Sequence, residues 1–332
     1  MSDPNQEFQP PPPPATQSEP EREKPANLML AGIVIFVVGL VICVLGIVHL
    51  VTGGIGTGAA IAALGILFFA LSFTHLPHVP DPPPAMSTKQ TLTGIFFEPT
   101  AVFKNMRAHP RWLVALLLVG IINGVYNVAF VHRLTAERII NYTMDKMEDS
   151  PLKPPPEAIA RARTEGVEAA KSPVQQAGNI LKAIVAAFFG AAFIGALALL
   201  GVLAFGGRMH FWQTYAAVAY VSFPVTLIQK AISFIILYVK SPDDIHPILG
   251  QETLVYDNLG LLVSSKDHPV LWVVATSIGV LSFYRIWLTA TGLKGTGYKV
   301  SSSAGWGVAI TLFVLFLLFG MAMAALFGSF FG

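Results

Sequence analysis

The chain has 332 residues, of which 54% are hydrophobic and only 12% charged, with a formal net charge of +2. A soluble domain carries about 25% charged residues, so a water-soluble protein is excluded and an integral membrane protein is implied. The small positive surplus gives no reason to expect a nucleic-acid partner. One cysteine, Cys43, excludes an internal disulfide framework or a cysteine metal cluster.

Residues 1–27 are polar, with a run from Pro10 to Pro14 and the mixed-charge stretch EPEREK. They cannot build a core, and a disordered, locally polyproline tail is expected. A membrane-crossing helix needs about 20 apolar residues, and seven apolar runs satisfy this. Helices are predicted near 28–51, 55–74, 112–131, 180–206, 214–239, 270–292 and 304–328. The fold class is therefore all-α, a polytopic membrane protein with about seven transmembrane helices. The first run is too long, and its leader too acidic, for a cleaved signal peptide. Only Thr52, Gly53 and Gly54 separate the first two runs, so 28–74 is expected to form an antiparallel hairpin.

A linker at 75–93 follows, then a second domain at 94–328 with an extramembrane loop at 132–179. That loop holds RLTAERIINYTMDKMEDSP, expected to prolong the third helix out of the bilayer, and PPPEAIARARTEGVEAAK, whose prolines suit a helix start. Small residues recur at packing intervals: Gly32, Gly39 and Gly46; Gly54, Gly58 and Ala62; Ala187, Ala191 and Gly195; Gly320, Ala324 and Gly328. Such stripes let membrane helices approach closely, within the chain or in a homo-oligomer. Lys89, Lys104, Arg107 and Arg111 in the 75–111 segment place it, and the N-terminus, in the cytoplasm.

Charges inside apolar runs are costly and are functional candidates. Lys230 and Arg285 are such charges, and no Asp or Glu lies within a run to pair with them. That absence argues against a proton pump or cation-coupled transporter. The simple expectation is that both snorkel to the headgroups, with anion or lipid-phosphate contact the alternative for Arg285. Pro224 falls inside the fifth run and is expected to kink it, and kinks sometimes mark transport sites. Asn123, Tyr126 and Asn127 are expected to bond between helices. His75 and His78, with Asp81 as the only neighbouring ligand, are too few for zinc. No HExxH, GxSxG, Walker or GxGxxG stretch occurs, so no catalytic site and no cofactor are expected.

The stretch FFEPTAVFKNMRAHPRW, residues 96–112, precedes the third run. Pro99 can start a helix that puts Val102, Phe103 and Met106 on one face. His109-Pro110 ends it, and Arg111-Trp112 stands where an interface anchor is expected. This predicts a short amphipathic helix in the headgroup layer, with its apolar face toward lipid.

The pattern Phe96, Pro99, Phe103, Pro110 and Trp112 resembles the entry to the Yip domain, a family of polytopic membrane proteins named for interaction with Ypt/Rab GTPases. Further resemblances follow in order: the 132–179 loop, similar to the insert of bacterial members; Gly206-Gly207 and Phe211-Trp212 leading to Pro224; Asn258-Leu259-Gly260; Trp287; and Gly292-Leu293-Lys294. An acid expected a few positions before Trp287 is missing from GVLSFYR. The resemblance implies a five-helix domain with a cytoplasmic N-terminus, preceded here by the extra hairpin. It implies a scaffold rather than an enzyme, in a bacterial inner membrane. The expected partners are the lipid bilayer and other membrane proteins or further copies of the chain. The alternative function is a transporter or lipid-handling protein, which requires a polar cavity near Pro224 and Lys230.

Overall fold

A computed structural model describes residues 28–48, 53–76, 78–148 and 154–328. The N-terminal tail expected at 1–27 lies outside the described residues. Among the described residues the regular elements are all helices, joined by irregular segments, with one isolated bridge between Asn258 and Gly279.

The first two helices, α1 (Leu28–Ile47) and α2 (Gly54–Leu71), pack against each other in antiparallel sense, Gly32 beside Gly65 and Gly46 beside Gly54. Glycine dictates the intimacy of this packing. A Cβ placed on Gly39 would lie 2.3 Å from the amide nitrogen of Ala62, and one on Gly58 would lie 2.5 Å from that of Cys43. The outer face of α1 is covered with exposed valine, leucine and isoleucine, as a lipid-facing helix requires.

Next come α3 (Thr88–Phe97) and α4 (Pro99–Met106), a polar strap across one end of the bundle. Ser87 and Gln90 close α3 with a reciprocal capping box, and Pro99 takes the first position of α4. The helix is where the sequence places it, but its apolar face is not in lipid. Val102, Phe103 and Met106 are fully buried inside the protein. Gly292 and Gly295 leave room for the Phe103 ring, which lies 3.2 Å from where a Cβ on Gly292 would stand. The amphipathic pattern is the same for burial against lipid or against protein, so the sequence cannot separate the two.

The remaining helices are α5 (Leu113–Leu134), α6 (Ala136–Glu148), α7 (Pro156–Lys171), α8 (Pro173–Ala204), α9 (Phe211–Val239), α10 (Leu249–Glu252), α11 (Pro269–Ser277), α12 (Val280–Thr296) and α13 (Ser302–Leu326). Helix α6 does not continue α5 as expected. Thr135 breaks the path with φ +67°, a conformation unusual for a β-branched residue. Helices α6 and α7 form an extramembrane hairpin tied by Arg163–Asp145 at 2.8 Å and Lys171–Glu137 at 3.2 Å.

Among the described residues six helices are long and apolar enough to cross a membrane: α1, α2, α5, α8, α9 and α13. The seventh expected span is two shorter pieces, α11 and α12, interrupted at Ile278-Gly279. Opened amide and carbonyl groups need partners in an apolar surround, and the segment after α9 provides them. Leu259 N–H donates to Ile278 O at 3.3 Å, and Val280 N–H donates to Asp257 O at 3.3 Å. The Asp257 carboxylate accepts from Leu281 N–H at 2.7 Å, capping α12 from a distant part of the chain.

Candidate functional site

The sequence singled out Pro99, Phe103, Pro110, Trp112, Pro224, Lys230 and Arg285. The first four serve one end of the bundle. Pro99 starts α4 and Phe103 fills the gap above α12. Pro110 precedes α5, and Trp112 is its N-cap residue. Trp112 stacks on Trp212 with ring centroids 5.7 Å apart, and it meets Phe188 and Tyr215 at 5.9 and 5.2 Å. It is part of an aromatic core rather than a free interface anchor. Beside it, Arg107 closes the C-terminus of α12, donating to Gly295 O at 3.0 and 3.2 Å.

Pro224, Lys230 and Arg285 belong to the centre of the bundle. Helix α9 runs unbroken through Pro224. Lys230 does not snorkel. It is buried, with its Nζ 4.1 Å from the Tyr126 ring centroid. It donates to the carbonyls of Gln251, at 3.2 Å, and Glu252. Tyr126 donates to Gly250 O at 2.7 Å, and Ser233 Oγ accepts from Leu254 N–H at 3.1 Å. Lys230 lies nine residues before Val239, the last residue of α9, so at 1.5 Å per residue the segment dips about 14 Å back along the bundle. A loop expected outside the membrane is therefore re-entrant. It carries Glu252 and Asp257 inward, although no helical run contains an acid.

Two cavities flank this segment. One, of about 750 Å³, lies among α8, α9, α12 and α13. Its walls on α8 and α13 are apolar, including Ala191, Ile194, Phe313 and Phe316, and its rim includes Phe319, which is 66% exposed. Asp257, Asn258 and Ser282 make its polar end. The other, of about 650 Å³, is strongly polar, with Asn123, Asn127, Asn179, Lys182 and Gln251 in its wall. Thr226, Gln229, Glu252 and Arg285 line both. Both volumes lie within the range of about 300–1,000 Å³ usual for small-molecule sites.

Arg285 is the hinge of this arrangement. Its side chain is exposed by surface area yet surrounded by protein atoms, because the surface it presents is the cavity's own. Among the described residues its guanidinium has no hydrogen bond or ion pair. Glu252 lines the same space without bridging to it. Lys182, Asn179, Gln229 and the two acids were not legible as site residues, because their meeting depends on the broken span and the re-entrant loop.

The fold and site define a polytopic helical membrane protein with two neighbouring cavities that share part of their lining. A family model for the Yip1 domain matches residues 93–324, more than half of the chain, and the protein belongs to that family. No curated protein and no solved structure matches it. The N-terminal hairpin precedes the matched region.

Proposed function

We propose that the protein is a non-enzymatic membrane protein that holds a lipid or similar amphiphile within its bundle. The observation that carries this is Arg285, a cation without a hydrogen-bond or ion-pair partner among the described residues, at the junction of an apolar and a polar cavity. An uncompensated charge inside a membrane domain costs several kcal/mol, and a bound polar group would offset that cost. A photoactivatable lipid tests the reading. Adducts should map to Ala191, Phe313 and Phe316 inside the cavity. Adducts confined to the outer faces of α1 and α13 would overturn it.

A second reading, a scaffold or adaptor organising protein partners or further copies of itself, is favoured by membership of the Yip1 family. Affinity purification in mild detergent should then recover stable partners, and a solitary monomer would count against it.

We also place the protein in a bacterial inner membrane, on the resemblance of its 132–179 loop, with the N-terminus cytoplasmic. Lys89, Lys104, Arg208, Lys294 and Lys299 are exposed at the end bearing α3 and α4. At the opposite end Arg138, Arg163 and Lys171 are paired with acids. In a background with Cys43→Ala, an impermeant thiol reagent should reach Glu157→Cys in intact cells. Ser87→Cys should react only after permeabilisation, and the reverse pattern would overturn the orientation.

A further inference from the structure

We infer that the two cavities form one chamber for a phosphate-bearing anionic lipid, with the phosphate on Arg285 and an acyl chain between α8 and α13. This rests on the lipid-holding reading above and names the chemistry of its ligand.

Charge comes first. Arg285, Lys182 and Lys230 line the polar lobe against a single acid, Glu252. Lys230 is engaged by carbonyl groups. Arg285 and Lys182 make no hydrogen bond or ion pair among the described residues, so the chamber keeps a positive surplus. The planar guanidinium matches an oxyanion bidentately. Asn127, Asn179 and Gln229 add amide donors around the same space, whereas Asn123 Nδ2 already donates to Val119 O at 2.8 Å. A carboxylate has two oxygens and cannot use so many donors; a phosphate with its glycerol oxygens can. The N-terminus of α12 does not compete for the anion, because Asp257 already caps it.

Shape comes second. Gly190 on α8 lines the apolar lobe, and a Cβ placed there would meet nothing within 4 Å. Nearly every other helical glycine in the bundle is packed against a neighbour. Gly190 instead faces open volume, next to Ala191 and opposite Phe313 and Phe316. A chain lying there would reach the outer surface past Phe319.

The test is native mass spectrometry of the full-length protein in detergent, offered phosphatidylglycerol or phosphatidylcholine. The wild type should retain the anionic lipid in roughly tenfold preference, equivalent to about 1.4 kcal/mol. Arg285→Gln should lose the preference, and Arg285→Lys, which keeps the charge but not the bidentate fork, should keep only part of it. Gly190→Phe should reduce retention of both lipids while leaving the fold intact. Should Arg285→Gln fail to fold, Arg285→Lys and Gly190→Phe carry the test. Equal retention of both lipids by the wild type would overturn the headgroup assignment and leave the lipid-holding reading standing. Retention of neither would overturn both. Displacement of phosphatidylglycerol by inorganic phosphate would mean that the site takes free phosphate, and would overturn the lipid assignment.

Discussion

Replacing Lys230 with methionine keeps the length of the side chain and removes its charge. Two hydrogen bonds from an ammonium, to Gln251 O and Glu252 O, disappear with it. So does the contact with the Tyr126 ring at 4.1 Å. Each carbonyl left buried and unsatisfied costs about 1–3 kcal/mol, and the lost ring contact adds about 1 kcal/mol. Against this, methionine no longer has to be desolvated as a cation, which recovers several kcal/mol. These terms act in different places. The recovery is spread over the fold, whereas the loss falls on α10 and the strand-like residues after it. The expected outcome is a small change in overall melting and a local loosening of 249–256 by about 2 kcal/mol or more, roughly thirty-fold in the opening equilibrium. Hydrogen exchange of that segment in nanodiscs is the assay. Lys182→Met is the control, since Lys182 supports no carbonyl there. Unchanged exchange at 249–256 in Lys230→Met, or equal loosening in Lys182→Met, would refute the capping role.

Gly39→Val should force α1 from α2, because its Cβ would stand 2.3 Å from Ala62 N; a loss of about 1–3 kcal/mol is expected, read as a lower melting temperature. Arg107→Ala removes the donors that close α12 at Gly295 O, with an expected loss of about 1.5–3 kcal/mol by the same measurement. Acidification should loosen the join between α6 and the re-entrant segment. His246 Nδ1 accepts from Ile248 N–H at 3.2 Å and Leu249 N–H at 3.1 Å, and its Nε2 meets the Tyr142 hydroxyl at 3.0 Å. Burial and then Lys146 hold its pKa below the ordinary 6.5. The unfolded segment therefore binds more protons, and stability falls as pH drops below about 6.5 toward the folded pKa. Exchange at 136–148 and 246–250 should rise at acidic pH in the wild type, and a flat profile would refute the role of His246.

Periodicity and run length made the helices legible, since an apolar stretch of about 20 residues has few alternatives in a membrane protein. They could not reveal the fate of charges. Lys230 in its run looks the same whether it reaches water or a carbonyl, and only the return of 249–256 decides. The face of Val102, Phe103 and Met106 was read correctly as apolar and wrongly as lipid-facing. Its partner, the Gly292–Gly295 surface of α12, lies nearly 190 residues away in the chain. Arg285 was legible as a candidate from its cost alone. Its neighbours Lys182 and Glu252 fall at the edge of the apolar run 180–206 and in the polar segment between two runs, where charge is ordinary and carries no signal.

The break at Ile278-Gly279 and the re-entrant loop explain one another. An interrupted span exposes backbone groups that lipid cannot satisfy, so α11 and α12 require another piece of chain at that depth. The loop in turn brings its own carbonyls into the bundle, and Lys230 is there to receive those of α10. Gly279 fits because a Cβ would lie 2.9 Å from that of Asn258, which bridges to it. A straight sixth span would have no need of Asp257 or Asn258 and could close against α9. The detour instead places Glu252, Asp257 and Asn258 beside α9 and α12, and the apolar cavity lies between this segment and α8, α9, α12 and α13. On this argument the cavity is a consequence of the broken helix and the buried lysine together, not a packing defect between otherwise regular spans.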